Sequence, residues 1–262
     1  IGIFVKISYK QIYMKAKYRC IQQILLTTGL IMAFALSCKK EENPIKFPYG
    51  TFPDSIMNLN GINSAYDDYN TTVYEIRDAL SVIFSSNRKS SGGQFDIEQG
   101  KIEYAFNQTT GDFDLTAEIT NDSFISGLIS KAVTSRNDFG PYRFFSTADG
   151  FEYLILSSEN DAGNLDFHYL KNAPVQGTSV PEISGPFPIN LFNSASDEAY
   201  MCFDTDQDSL YFCSDRSGSF DIYLDTLNTD KSLSELFSKQ FKEPIIQDVF
   251  NSDGNDKCPF FH

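Results

Sequence analysis

The densest cluster of side chains able to do chemistry is Asp204-x-Asp206-x-Asp208, with Asp215 at the twelfth position of the same count. Alternating carboxylates with a further acid at position twelve have the spacing of a calcium loop, and Ca2+ is the ion they would take. Against that, Ser209 stands where the sharp-turn glycine belongs, and Asp215 replaces a bidentate glutamate. The flanking apolar runs also read as strands, not helices. The competing reading is an acidic hairpin turn. Other chemistry is thin. The two histidines are His168 and His262, and the chain contains no Gly-x-Ser-x-Gly, His-x-x-x-His, Cys-x-x-Cys or P-loop segment. Asp67 and Asp68 are adjacent, so on a strand they point to opposite faces and make a poor acid–base pair. The residues offer one candidate metal loop, no catalytic constellation and no site for an organic cofactor.

Charge narrows the partners. The chain of 262 residues has a net charge of −14, yet residues 1–37 hold five basic residues and no acid. The remainder carries 16 basic against 35 acidic residues, a net of −19. A domain that acidic repels a phosphate backbone, which excludes nucleic acid as a partner. With 41% hydrophobic and 15% aromatic residues there is enough apolar surface to bury a core.

The basic segment is an address and stands outside the fold. From Met14 a basic stretch leads into an apolar run over 24–36, too short to cross a bilayer as a helix. It ends in Phe34-Ala35-Leu36-Ser37-Cys38. This segment resembles the lipobox of bacterial lipoproteins, with Ala35 where leucine is usual. The resemblance implies that Cys38 is lipidated and tethers the mature chain to a membrane. Lys39-Lys40-Glu41-Glu42 is similar to the tags that route some gram-negative lipoproteins to the cell surface; a solvated charged linker reads equally well. Beyond Cys20 and Cys38, Cys202, Cys213 and Cys258 are an odd number; Cys202 and Cys213 read as small buried hydrophobes, with pairing across a hairpin the alternative.

Repeats set the architecture. Leu210–Ser214, then Gly218 and Asp221-Ile222-Tyr223, form an apolar run, a polar turn with glycine, and a strand opened by aspartate. Val82–Ser86 with Gly92, Gly93 and Asp96, and Tyr153–Ser158 with Gly163 and Asp166, repeat it. Each is a β-hairpin signature. Asn193-Ser194 and Asn251-Ser252 lie 58 residues apart, as do Tyr142 and Tyr200, and Tyr200 and Cys258. Strand-only units at such a period predict an all-β propeller of four-stranded blades. Two short helices are expected between units: one over Phe124, Ile125, Leu128, Ile129 and Ala132, and one after the capping box Ser232–Glu235.

The stretch Phe212-Cys213-Ser214-Asp215-Arg216-Ser217-Gly218-Ser219-Phe220-Asp221-Ile222-Tyr223 resembles the WD-like propeller repeat of bacterial envelope proteins, typified by the Tol-system periplasmic propeller. In that family a first strand ends in a Ser-Pro-Asp-Gly turn; here 146–150 and 204–209 take that place without the proline. Asp96, Asp166 and Asp221, with the serines of the preceding turns, are expected to bond backbone donors and pin the corners. Arg88 and Arg216 are expected to pair with such carboxylates. Asn160 stands at the arginine position of the second unit.

The chain thus divides into a leader (1–13), a lipoprotein signal peptide (14–37), a tether (38–55), a first blade with an insertion around 98–120 (56–135), a second blade (136–193), a third (194–251) and the start of a further one (252–262). An incomplete arc of about three blades would leave apolar faces wet at Val82-Ile83-Phe84 and at Pro259-Phe260-Phe261. The repeats absorb nearly every distinctive residue. They imply a lipid-anchored outer-membrane propeller in the cell envelope that binds a protein or glycan partner. The alternative is the propeller portion of a peptidase-type enzyme whose catalytic domain lies beyond residue 262. Replacing Cys38 by Ala should abolish incorporation of a labelled fatty acid and release the protein from membranes; unchanged labelling and partitioning would refute the anchor.

Overall fold

The computed structural model describes residues 17–19, 23, 43–49, 56–73, 79–177, 179–228 and 230–260. Cys38, nearly all of the signal segment and most of the tether lie outside the described residues. Among the described residues no helix is long and apolar enough to cross a membrane. The chain divides into two compact units: Ile1–Tyr49 with Gln108–Gly111, and Gly50–Asn107 with Asp112–His262. In the first, the Lys46 and Phe47 amides both donate to the Gln108 carbonyl at 2.9 Å.

The second unit is built from three four-stranded antiparallel sheets, each an up-and-down meander in chain order. Sheet 1 comprises β1 (Asp68–Val73), β2 (Ala79–Ser86), β3 (Asp96–Phe106) and β4 (Phe113–Ile119). Sheet 2 comprises β5 (Asp138–Phe145), β6 (Glu152–Glu159), β7 (Leu165–Asn172) and β8 (Ser184–Pro188). Sheet 3 comprises β9 (Glu198–Phe203), β10 (Ser209–Ser214), β11 (Asp221–Thr226) and the two-residue β12 (Ile245–Ile246). The stretch 98–120, expected to be an insertion, is instead most of β3 and all of β4. Helix α1 (Ser123–Ala132) joins sheets 1 and 2, with Asp122 as its N-cap. The five-residue α2 (Leu233–Phe237) lies between β11 and β12, inside the third unit and not between units. Its Ser232 cap accepts from the Glu235 amide, but Glu235 turns to Lys231 and does not close the capping box.

The central strands carry the apolar runs Val82–Phe84, Tyr153–Leu156 and Leu210–Cys213 because both their faces are covered there. Alternation sends Leu154 and Leu156 of β6 one way, with Leu170, to pack on Ile83 and Ile97 of sheet 1 and on Ile125, Leu128 and Ala132 of α1. Tyr153 and Ile155 point the other way, onto a core shared with Phe203, Leu210, Phe212 and Tyr223 of sheet 3 and with Leu233, Leu236 and Phe237. Burying each such large side chain contributes about 1.5–3 kcal/mol.

The expected wet face at Val82-Ile83-Phe84 is not wet. Val82 and Phe84 are 0% and 1% exposed. Ile62 packs on them with Ile102, and Leu59, Leu80, Leu115 and Ala117 border the cluster. The segment 58–63 reads as a polar turn in sequence, yet it plugs this face with two aliphatic side chains. Gly61 makes the plug fit: a Cβ there would lie 1.5 Å from the Ala117 carbonyl oxygen. Phe260, by contrast, is 74% exposed. Gly61→Ala should therefore lower stability by about 1–3 kcal/mol, as overpacking does. Urea denaturation checks this, and a variant as stable as the parent would show that the plug is not seated on Ala117.

Candidate functional site

A loop of one design opens each sheet. A hydroxyl residue sits four places before an acid, and its amide donates to that acid's carboxylate: Ser64 to Asp68 at 2.6 Å, Thr134 to Asp138 at 2.8 Å, Ser194 to Glu198 at 3.0 Å. Ser252 to Asp256 at 2.6 Å makes a fourth copy after sheet 3. In all four the amide two residues on donates back to the hydroxyl oxygen: Tyr66, Arg136, Ser196 and Gly254. The last serine of the second strand then donates to the same acid: Ser86 to Asp68, Ser158 to Asp138, Ser214 to Glu198.

The loops also couple neighbouring sheets. The residue before the acid accepts from the amide near the start of the previous sheet's third strand: Asn137 from Phe95 (2.9 Å), Asp197 from Leu165 (2.8 Å), Asn255 from Phe220 (3.0 Å). Asn193 and Asn251 each clasp a third-strand residue at both its amide and its carbonyl, Phe167 and Ile222 respectively. This is the physical content of their recurrence at 58 residues. The matching Tyr142–Tyr200 interval is coincidental, because the four acids are spaced by 70, 60 and 58 residues and Tyr200 corresponds to Gly140.

The arginines bind these first-strand acids, not the third-strand aspartates they were expected to pair with. Arg88 Nη2 lies 2.5 Å from Asp68, and Arg216 Nη2 2.9 Å from Glu198. Each guanidinium also donates to the carbonyl just ahead of the loop, Ile62 and Phe192. Arg216 is further packed against the rings of Phe212, Tyr223 and Phe241. Asp96, Asp166 and Asp221 accept from side chains instead of the expected backbone donors: Gln94 (3.4 Å), Asn160 (2.8 Å) and Ser217. In sheet 2, with Asn160 at the arginine position, the corresponding carbonyl of Ala132 is met by His168 Nε2 at 2.9 Å.

Burial and hydrogen bonding compete at these acids. Burial alone would raise Asp68, but bonds from Ser86, Arg88 and Ser64 overcome it and hold the carboxyl at about 2. Burial pushes Asp138 up to about 6 against Ser158 and Thr134, with the charge of Asp96 adding to the rise. Burial raises Glu198 too, opposed by Ser194, Arg216 and Ser214.

Two residues past each acid the backbone takes the left-handed conformation: Asn70 (φ 55°), Gly140 (58°), Tyr200 (59°) and Cys258 (62°). The pairing of β1, β5 and β9 with their neighbours shifts register just there. At Gly140 a Cβ would lie 2.8 Å from the Tyr200 ring, so glycine serves the close approach as well. These four residues converge on one recess of about 260 Å³, lined also by Thr72, Pro141, Tyr142, Met201, Cys202, Pro259 and Phe260. The Asn70 amide reaches Cys258 Sγ at 3.3 Å. Tyr69, Phe95 and Phe139 form a ring cluster at centroid distances of 5.0–6.3 Å, with the Tyr200 ring 6.5 Å from Tyr69. Burial pushes both the Tyr142 and Tyr200 hydroxyls up to about 12 and raises the Cys258 thiol. At neutral pH the recess therefore offers hydroxyls, an amide, a thiol and aromatic faces, with no anionic or cationic group.

Asp204, Asp206 and Asp208 lie in the β9–β10 turn and do not assemble a site. Asp204 Oδ1 accepts from the Asp208 and Ser209 amides at 3.2 Å, while Asp215 lies past the far end of β10 and receives the Asp197 amide. Among the described residues no group of three His, Cys, Asp or Glu side chains is placed to hold a metal ion. Cys202 and Cys213 are buried and out of register with each other, Cys202 opposite Tyr211 and Cys213 opposite Ala199. The 58-residue interval had joined Tyr200 to Cys258, but Asn70 and Gly140 were missed in sequence; the signal that finds all four is the place two residues after each loop acid. No known protein-family pattern matches the chain, and no curated protein sequence does.

Arg216 and Glu198 have side chains 9% and 0% exposed. Removing one partner of such a pair strands the other charge, so Arg216→Met should cost about 3–5 kcal/mol in a denaturant melt. Lys231→Ala, at an exposed pair, should leave the midpoint where it was. Equal effects of the two would refute a structural role for the buried arginine.

Proposed function

We propose that the chain is a lipid-anchored β-propeller module of the gram-negative envelope that binds a protein or glycan partner and performs no chemistry of its own. The observation that carries this reading is the division of labour within the loop. The hydroxyl and the acid recur in all four copies, whereas the left-handed position is in turn Asn70, Gly140, Tyr200 and Cys258. The constant positions hold the frame, and the varied ones line a single recess. A concave surface with aromatic faces and a few neutral hydrogen-bonding groups is the chemistry of recognition. Burial holds the Tyr142 and Tyr200 hydroxyls up at about 12 and raises the Cys258 thiol, which suits these groups to hydrogen bonding more than to proton transfer near neutral pH. The sheets would serve as blades, and the lipid on Cys38 would hold the recess at the membrane surface.

The test is binding by the purified chain to a panel of peptidoglycan fragments, glycans and soluble domains of envelope proteins. Tyr200→Ala and Asn70→Ala should each weaken the interaction about tenfold or more, while Lys231→Ala leaves it intact. Binding indifferent to the recess variants, or turnover of any panel member, would overturn the reading.

A further inference from the structure

The joints between sheets 1 and 2 and between sheets 2 and 3 share the bond from an amide near the start of the third strand to the residue before the loop acid, but they differ in the counter-charge at that acid. Hydrogen bonds hold the start of β5 and the loop before it to sheet 1, among them Gln94 Nε2 to the Arg136 carbonyl at 2.7 Å. The Asp138 amide donates to the Phe95 carbonyl at 3.0 Å, the Phe95 amide to Asn137 Oδ1 at 2.9 Å, and the Gly140 amide to Ser85 Oγ at 3.0 Å. At the centre lies the carboxylate of Asp138, 0% exposed, bonded to Ser158 and to the amide and hydroxyl of Thr134. Where Arg88 and Arg216 neutralise the equivalent acids, sheet 2 has Asn160. Its amide is turned to Asp166, and its Oδ1 accepts from the Ala162 and Asn164 amides.

The charged and titratable groups around Asp138 supply no substitute. From sheet 1 comes Asp96, a like charge. From the loop comes Arg136, which is spent on the Asn160 carbonyl and on Asp161 at 3.1 Å. From β6 comes Glu159, which accepts from Asn137 at 2.8 Å. From β7 come Asp166 and His168, and burial pushes the imidazole below its ordinary range, so it is neutral at pH 7.

We propose that this joint is acid-strengthened: Asp138 takes up a proton in mildly acidic surroundings, and sheet 2 is then held to sheet 1 more firmly than at neutral pH. Burial places the folded-state value at about 6, above the ordinary 3.8. The folded protein thus binds more protons than the unfolded one between those values. The resulting stabilisation is complete below 3.8 and is lost as pH rises through about 6. From pH 7 to pH 5 the opening equilibrium of the joint should fall about tenfold from this group alone. Gly140 belongs both to the joint and to the recess, so the recess would stiffen with it; the proposal does not depend on what the recess binds.

The test is amide hydrogen exchange at Phe95, Asp138 and Gly140, corrected for intrinsic rates, between pH 5 and 7. Protection should rise about tenfold toward pH 5 in the parent chain and stay flat in Asp138→Asn. Equal pH dependence in both would overturn the proposal. Because the variant could fold poorly, the Asp138 carboxyl is also titrated in the parent by carbon NMR. A midpoint near 6 supports the proposal, and one near 4 overturns it whatever the variant does.

Discussion

A carboxylate buried at the base of each sheet's first strand is the constraint from which the rest of the second unit follows. An ionised acid removed from water must be surrounded by donors, because desolvation without compensation costs several kcal/mol. Asp68, Asp138 and Glu198 meet that demand from three directions. Their own loop supplies an amide and a hydroxyl, and the neighbouring second strand supplies a serine. Satisfying the acid therefore fixes the loop conformation and the start of the β1–β2, β5–β6 and β9–β10 registers together. With the loop fixed, the residue before the acid is presented to the preceding sheet, and the residue two places after it is turned into the recess. Coupling between sheets and the shape of the recess are consequences of one local electrostatic requirement.

The sheets differ in how completely the charge is neutralised. Asp68 is half of a short ion pair and has donors enough to outweigh its burial. Glu198 is sealed under Arg216, which is itself walled by three aromatic rings; burial still raises it, because the pair is taken almost wholly out of water. Asp138 has hydroxyls and an amide alone. Substituting Asn160 for arginine keeps the turn, since its side chain makes an Asx turn with Ala162 and Asn164, but removes the counter-charge. One position thus serves corner geometry in sheet 2 and charge neutralisation in its neighbours.

Strands with strong local pattern were legible in sequence: Tyr153–Ser158 and Leu210–Ser214 announce buried strands by their apolar runs, and the spacing from Phe124 to Ala132 announces α1. Features that depend on residues meeting across the fold were not. The partner of Arg216 is 18 residues upstream on another strand, whereas Asp221 lies five residues away and looked like the natural acceptor. β12 spans two residues, Ile245 and Ile246, too few for any periodicity to register. The 58–63 plug was hidden because Leu59-Asn60-Gly61-Ile62 carries turn residues, and only contact with β4 shows that its glycine serves packing. The recess was hidden for a related reason. Its four corners are chemically unlike one another, so residue similarity does not find them and spacing alone linked only Tyr200 to Cys258, although an acid stands two places before each.

That contrast has a physical basis. A left-handed backbone costs non-glycine residues of order 1–3 kcal/mol where the surroundings impose it, and asparagine the least of them. Asn70, Tyr200 and Cys258 all bear this strain, while Gly140 avoids it. If the bulges existed only to end a register, glycine would suit every copy. At Gly140 the Tyr200 ring already occupies the space that a side chain would need, so glycine is required there by contact as well as by conformation. At the other three positions a side chain is kept at a conformational cost and is directed into the common recess. The strain sits where the loop turns from bonding its own acid to directing side chains into the recess.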